Sequence, residues 1–227
     1  DKDPSTEYAM VSAQLVLAMY ESRGNLDKVA ELSDLYASKN LGGAKGGEEL
    51  SSRFKDLKYG ALFEKAKILF EEGKYLESAA EYERIVDENP QFEKIHLALY
   101  NAGIAYERMK YYDSAMRLYN RLFKEYNKTD EAVDALFRVG LNAEKFFDFS
   151  VAISSYMQIH DSKQPQFMRY ENKTEALRRA ALIEKITHNT KEAARLFERY
   201  DKEHGSMPDA PDMLFEAGLA YESLGNY

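Results

Sequence analysis

The feature that most constrains the fold of this chain is an internal repeat of 37 residues or slightly more. Four similar segments begin at Phe63, Tyr100, Phe137 and Arg178, and a shorter fifth one begins at Phe215. Equivalent positions are 37, 37, 41 and 37 residues apart. Periods of roughly 20–50 residues are typical of arrays in which each unit is stabilised by its neighbours. The sequence therefore predicts a stack of similar units.

Small residues and rings recur in each unit at helical spacing. The first part of every unit carries one small residue: Ala66, Gly103, Gly140, Ala181 and Gly218. The second part carries a small residue at Ser78, Ala115, Ala152 or Ala193, followed four positions later by Tyr82, Tyr119, Tyr156 or Phe197. Residues four apart lie on one face of an α-helix. Each unit is thus predicted to be two helices that cross closely at the small residues, with the ring filling the space beside them.

Prolines and glycines mark the boundaries of these helices. Pro90, Pro165, Pro208 and Pro211 lie between units, where helices must end. Gly24, Gly73 and Gly225 lie in the turns between paired helices. The fold class predicted from these patterns is all-α.

The recurring small and aromatic residues, the tight turns and Pro90 resemble the tetratricopeptide repeat (TPR) family over about residues 59–227, and more loosely over 8–40. The resemblance implies a right-handed superhelical solenoid. Two features depart from the family pattern. Leucine replaces the usual early tryptophan at positions 62, 99, 136, 177 and 214, and the step is 37 residues instead of about 34.

The repeat style is similar to that of bacterial cell-envelope TPR proteins, particularly at the joint "KEYNKTDEAVDAL" (residues 124–136). This likeness implies a periplasmic location, with the cytoplasm as the alternative. The sequence has no cysteine, which fits an oxidising compartment without requiring one.

The chain is predicted to have three parts. Residues 1–40 form an N-terminal helical hairpin with helices at 5–22 and 25–39, residues 41–50 a glycine-rich joint, and residues 51–227 the repeat array, with a long first helix from Ser51 to about Glu72. The last unit contains only a first helix and its turn. Because a solenoid unit cannot bury its apolar face alone, we expect the array to continue past Tyr227, with cover by another subunit as the alternative.

The joint has the glycine spacing of a phosphate-binding loop between Gly42 and Gly47. Such a loop needs Lys and Ser or Thr next, whereas Glu48 and Glu49 follow here and would repel a nucleotide. The preceding segment is also helical and not a strand. The glycines are therefore interpreted as a flexible joint.

Composition and residue spacing argue against several other functions. The formal net charge of −8 disfavours nucleic acid as a partner. No apolar run approaches the roughly 18 residues that a membrane-spanning helix needs, so no direct membrane insertion is expected. His96, His160, His188 and His204 are not spaced as metal ligands, and each is interpreted as a solvated or capping residue near a helix end. No catalytic residue, cofactor or metal site is predicted, and the chain is not expected to be an enzyme.

The family resemblance places the first helices along a concave groove, whose inward positions form three rows. The first row, three residues before each small residue, is Phe63, Tyr100, Phe137, Arg178 and Phe215. The second row, one residue after it, is Lys67, Ile104, Leu141, Leu182 and Leu219. The third row, four residues after it, is Phe70, Glu107, Glu144, Lys185 and Glu222.

These rows predict an aromatic and aliphatic stripe with an acidic edge. The lysine and asparagine that family members use to hold a terminal carboxylate are mostly absent from the first two rows. The stripe suits an apolar helix face or an extended segment with basic flanks. Tyr100 and Phe137 are the preferred anchors. The alternative is that the rings pack against neighbouring repeats and never contact a ligand.

Two functions remain open from the sequence. The chain is either a non-catalytic module that binds a protein or peptide in the groove, or a structural spacer within a larger envelope protein whose activity lies elsewhere. The sequence does not specify the oligomeric state.

Overall fold

The computed structural model describes residues 7–39, 41 and 43–225, and every regular element in these ranges is an α-helix. The all-α class predicted from the repeat is confirmed. The chain forms two compact units, Asp1–Met109 and Lys110–Tyr227. Parts of the predicted hairpin (residues 1–6 and 40), joint (residue 42) and last repeat (residues 226–227) lie outside the described residues.

Unit 1 contains five helices that pack along the chain order. They are α1 (Glu7–Ser22), α2 (Leu26–Ser38), α3 (Gly43–Glu71), α4 (Tyr75–Glu88) and α5 (Ile95–Arg108). Each packs on the next, with the broadest contact between α2 and α3. Helices α1 and α2 occupy most of the residues predicted as the N-terminal hairpin.

Unit 2 contains seven helices in the part of the chain that is described. They are α6 (Tyr112–Glu125), α7 (Asp130–Lys145), α8 (Phe149–Asp161), α9 (Pro165–Met168), α10 (Lys173–Ile186), α11 (Thr190–His204) and α12 (Ala210–Ser223). Helix α8 packs on both α7 and α10, and α11 packs on both α10 and α12. The short α9 lies in the one interval that is 41 residues long, and the sequence pattern does not predict it.

The glycine-rich segment is helical over most of its length. Helix α3 begins at Gly43, eight residues before the predicted start at Ser51, so residues 43–50 do not form the expected flexible joint. Packing on α2 explains the difference. Phe54 is buried with its ring centroid 5.7 Å from that of Tyr36, and the Ser51 hydroxyl donates to the carbonyl of Ala37 at 3.0 Å. These contacts offset the low helix propensity of glycine, about 1 kcal/mol per residue.

The turns between paired helices share one backbone conformation. The second residue after each first helix has a positive φ, with values from 60° to 78°, at Gly24, Gly73, Lys110, Phe147, His188 and Gly225. From Gly73 onward these residues repeat the 37, 37, 41 and 37 residue steps. In one such turn, the Phe147 amide donates to Glu144 and the Asp148 amide donates to Ala143, at 3.0 and 2.9 Å. This pattern closes the C-terminus of a helix with a left-handed residue. Three of the six positions are not glycine, so glycine content alone does not identify them.

The close helix crossings predicted from the small residues are present in both units. In unit 1 the hydroxyl of Ser78 on α4 donates to the carbonyl of Ala66 on α3 at 2.7 Å. In unit 2 a Cβ added at Gly140 on α7 would lie 2.5 Å from Cε1 of Tyr156 on α8. The rings that follow the small residues, Tyr82, Tyr119, Tyr156 and Phe197, are almost fully buried. The paired helices therefore cross at the small residues that the repeat predicts.

None of the helices in the described ranges is both long enough and apolar enough to cross a bilayer.

Candidate functional site

The first helices of unit 1 carry six of the residues predicted for the groove. The ring of Phe63 on α3 is only 7% exposed and packs edge-on against Tyr82, with the centroids 5.2 Å apart. Phe92, in the segment between α4 and α5, covers it further at 6.3 Å. Phe63 therefore packs within unit 1, as in the alternative interpretation of these rings.

The remaining unit 1 positions are more accessible. Lys67 is exposed on α3, and Phe70 is half-buried with its ring 5.0 Å from that of Tyr75. Tyr100, Ile104 and Glu107 are all half-buried on α5. These side chains retain some surface that a partner can contact.

Unit 2 repeats the burial of the first-row phenylalanine. Phe137 on α7 is also only 7% exposed, and its ring lies 5.4 Å from Tyr156 and 5.9 Å from Tyr170. Tyr170, in the segment before α10, covers Phe137 much as Phe92 covers Phe63. A residue of the connecting segment thus shields the ring in each unit.

One residue of the predicted acidic edge of unit 2, Glu144, is paired within the unit. Glu144 accepts a hydrogen bond from the Tyr156 hydroxyl and forms an ion pair with Arg179 at 3.0 Å. Burial raises the pKa of Tyr156, and the hydrogen bond to Glu144 acts in the same direction, so this hydroxyl remains a donor. The Glu144 carboxylate is therefore fixed by Tyr156 and Arg179. Arg179 lies between two of the predicted rows, so the repeat pattern does not indicate its role.

Arg178 and Phe215, the remaining first-row residues of unit 2, are less buried than Phe137. Arg178 is half-buried and pairs with Glu175 of its own helix at 2.6 Å. Phe215 on α12 is 67% exposed, which makes it the most accessible first-row residue in unit 2.

A row of leucines remains accessible on the first helices of unit 2. Leu141 on α7 and Leu182 on α10 are half-buried, and Leu219 on α12 is 44% exposed. Ion pairs join these helices side by side: Glu144 on α7 bonds Arg179 on α10, and Lys185 on α10 bonds Glu216 on α12 at 2.6 Å. We name Leu141, Leu182 and Leu219 the leucine row. It is an apolar strip bordered by paired charges of both signs.

Comparison with known families agrees with this helix arrangement. Residues 63–128 match the family model for the tetratricopeptide repeat. Residues 63–128 therefore contain tetratricopeptide repeats. The TPR match extends from the C-terminal half of α3 to the end of α6, and thus reaches into both units.

Solved structures with the same arrangement share little sequence with the chain. MamA of AMB-1 superposes with a TM-score of 0.53 at 15% identity, over 75% of this chain and 85% of that one. BtubC (BKLC) from P. vanneervenii superposes with a TM-score of 0.52 at 12% identity, over 87% of this chain and 85% of that one. At these identities the similarity concerns the fold. No curated protein matches the sequence at a significant level.

The histidines differ from the sequence-based interpretation in one respect. His160 and His204 do lie in the last turns of α8 and α11, as predicted, but the fold buries His160 to 2% exposure instead of leaving it solvated. The two Nε2 atoms are 3.2 Å apart. The residues are 44 positions apart in the sequence, so no local spacing indicates this contact.

Proposed function

We propose that the chain is a non-catalytic interaction module that binds a protein or peptide segment on the first helices of its TPR units. The observation that carries the proposal is the leucine row of unit 2. Leu219 is 44% exposed, whereas Leu141 and Leu182 are half-buried and each packs partly against the core of unit 2. Contiguous exposed apolar surface in a folded protein is characteristic of interaction sites.

The partner that fits this strip is an apolar face of a helix or an extended segment. Leucine side chains offer shallow contacts without a directional hydrogen bond, so affinity depends on buried apolar area. The bordering pairs, Glu144 with Arg179 and Lys185 with Glu216, present both signs of charge. We therefore expect a partner with mixed charges beside its apolar face, in place of the purely basic flanks predicted from the sequence.

In unit 1 the accessible positions are Lys67, Phe70, Tyr100, Ile104 and Glu107. We propose that they provide additional contacts when the bound segment is long. A periplasmic location remains a prediction from the repeat style alone.

A peptide selection tests the proposal without a known partner. A displayed library of short peptides is selected on the immobilised protein, and the enriched peptides are tested again on two variants. Leu219→Lys places a charge in the leucine row, whereas Leu76→Lys places the same charge on α4 at a leucine that is 59% exposed. Circular dichroism establishes that both variants fold.

We expect the enriched peptides to bind the original protein and Leu76→Lys alike, and to bind Leu219→Lys at least about tenfold more weakly, because a lysine ammonium in an apolar contact must be desolvated. Equal binding to both variants would exclude the leucine row as the binding surface. Failure to enrich any peptide would favour the spacer function.

A further inference from the structure

Three side chains at the C-terminal ends of α8 and α11 converge on one point in unit 2. His160 lies in the last turn of α8, and Glu203 and His204 end α11. The Nε2 atom of His160 is 3.2 Å from Nε2 of His204 and 3.4 Å from Oε2 of Glu203. All three ligand-type atoms lie within 4.8 Å of one another. Two imidazole nitrogens and a carboxylate oxygen are a common ligand set for zinc.

The separations between these atoms match a tetrahedral ion. Zinc bonds to histidine nitrogen and carboxylate oxygen are about 2.0–2.2 Å long, so neighbouring ligand atoms of a tetrahedron are about 3.3 Å apart. Two of the separations, 3.2 and 3.4 Å, agree with this value. The third separation, between Nε2 of His204 and the Glu203 carboxylate, is at most 4.8 Å and needs only small side-chain movements to reach this value.

Partners behind the ligands direct their lone pairs toward the common point. Oδ1 of Asp161 lies 3.5 Å from Nδ1 of His160 and can only accept, which favours a proton on Nδ1 and a lone pair on Nε2. The Thr174 hydroxyl lies 3.5 Å from Nδ1 of His204 and can accept in the same way. Such outer partners commonly orient histidine ligands in metal sites.

The carboxylate is oriented by a different group. Nε of Arg199 donates to Oε1 of Glu203 at 2.7 Å, which leaves Oε2 facing His160. Arg199 also donates to Asp161 at 2.6 Å, so its guanidinium is engaged outside the space between the three ligand atoms. Lys173 is another cation nearby, and its ammonium group donates a hydrogen bond to the carbonyl of Ser162 at 2.9 Å.

The three side chains differ in their access to solvent. His160 is 2% exposed and His204 is half-buried. Glu203 is partly exposed at the end of α11, so the point of convergence is open to solvent. A metal ion can enter from that side, and water can complete its coordination.

We propose that His160, Glu203 and His204 bind one Zn²⁺ ion, with a water molecule as the fourth ligand. The ion would join the second helices of two successive TPR units across the interval that is 41 residues long. The ion would tie the C-terminal end of α8 to that of α11 and keep one coordination position open to water. No metal site is predicted from the sequence, since these ligands are not spaced as a local motif.

Zinc binding is measured by calorimetric titration of the full, untagged chain after treatment with a chelator and its removal. An affinity tag of histidines must be absent because it binds zinc itself. The ligand variants are His204→Gln, His160→Gln and Glu203→Gln. The matched control is His188→Asn, which removes an exposed histidine at a positive φ where asparagine is tolerated.

We expect one Zn²⁺ per chain for the original protein and for His188→Asn. We expect His204→Gln to bind at least about tenfold more weakly, because it retains only two protein ligands. The melting temperature should rise with Zn²⁺ in the original protein and in the control but not in His204→Gln. His204 is only partly buried, so this variant is expected to fold even if His160→Gln does not.

Three results would overturn the proposal. The original protein could show no saturable zinc binding, which would mean that the two imidazoles merely share a hydrogen bond. His204→Gln could bind as tightly as the original protein, which would place the ion elsewhere. Bound Co²⁺, used as a spectroscopic probe, could show a six-coordinate spectrum, which would contradict the tetrahedral geometry.

Discussion

Gly140 on α7 and Tyr156 on α8 are in such close contact that a Cβ at position 140 would overlap the tyrosine ring. A Cβ at this position would lie 2.5 Å from Cε1 and 2.7 Å from Cζ of the tyrosine ring. The ring cannot move away freely, because its hydroxyl is bonded to Glu144 and the side chain is fully buried. This contact explains why the repeat places a small residue opposite a ring.

Replacement of Gly140 should therefore destabilise unit 2. Gly140→Ala is expected to lower the free energy of unfolding by about 1–3 kcal/mol through overpacking, and Gly140→Leu by at least as much. Gly218 is the control, since it occupies the equivalent position on α12 and has no atom within 4 Å of an added Cβ. Gly218→Ala should stabilise α12 by up to about 1 kcal/mol because alanine favours the helix. Urea unfolding followed by circular dichroism measures both, and equal effects would contradict the crossing geometry.

The turn after α7 holds a phenylalanine in a conformation that favours glycine. Phe147 has a φ of 60° and is 80% exposed, so its ring contributes little burial to offset the backbone cost. Phe147→Gly should stabilise the protein by up to about 1 kcal/mol, since a left-handed conformation costs other residues about 1–2 kcal/mol. Thermal unfolding measures the change.

The control for the turn is an exposed residue inside a helix. Gln158 lies within α8 and is exposed, and Gln158→Gly should destabilise the protein by about 1 kcal/mol. If both glycine substitutions destabilised the protein, that result would contradict the positive φ assigned to Phe147.

Phe137 and Phe215 occupy equivalent positions in the repeat but should respond differently to truncation. Phe137 is buried between Tyr156 and Tyr170, so Phe137→Ala is expected to cost about 3–5 kcal/mol of stability. Phe215 is mostly exposed, and Phe215→Ala should cost less than about 1 kcal/mol. Denaturant unfolding of the two variants tests this. A mild effect at Phe137 would restore it as a partner anchor.

Tyr82 should make stability depend on pH at the alkaline end. Burial raises its pKa to about 12, although the hydrogen bond from Asn101 opposes the shift. The folded state thus holds the proton more tightly than the unfolded state, whose tyrosines have a pKa of about 10. Its contribution is fully present below about pH 10 and is lost progressively between about pH 10 and pH 12.

Tyr82→Phe isolates this contribution because it retains the buried ring. Between pH 9 and 11 the variant should lose about 1 kcal/mol less stability than the original protein. Tyr8→Phe, which changes an exposed ring, should follow the original protein. Identical alkaline profiles for the original protein and Tyr82→Phe would contradict the raised pKa.

Much of the fold was predictable because the relevant interactions are local and repeat along the chain. Offsets of three and four residues, together with the prolines between units, predict the helices and their pairing. The turns at Lys110, Phe147 and His188 were only partly predictable, because the conformation there is imposed by the helix closure and not by the residue type. The helical start of α3 at Gly43 was missed, since it depends on packing against α2.

The repeat predicted which helices carry the groove residues, but it did not predict how far their side chains are exposed. The repeat correctly aligns Phe63, Phe137 and Phe215 on first helices. Their burial depends on Phe92 and Tyr170, which lie in connecting segments outside the repeat pattern. Where such a segment covers the ring, the phenylalanine becomes part of the core.

The sequence by itself determined the all-α repeat, the helix pairs and the small residues at their crossings, because each of these follows from side chains only a few positions apart. Only the tertiary structure decided which rings are covered, which leucines remain accessible and that His160 meets His204. These outcomes depend on contacts between residues about 30–45 positions apart, and chain periodicity carries no information about how such distant side chains orient toward one another.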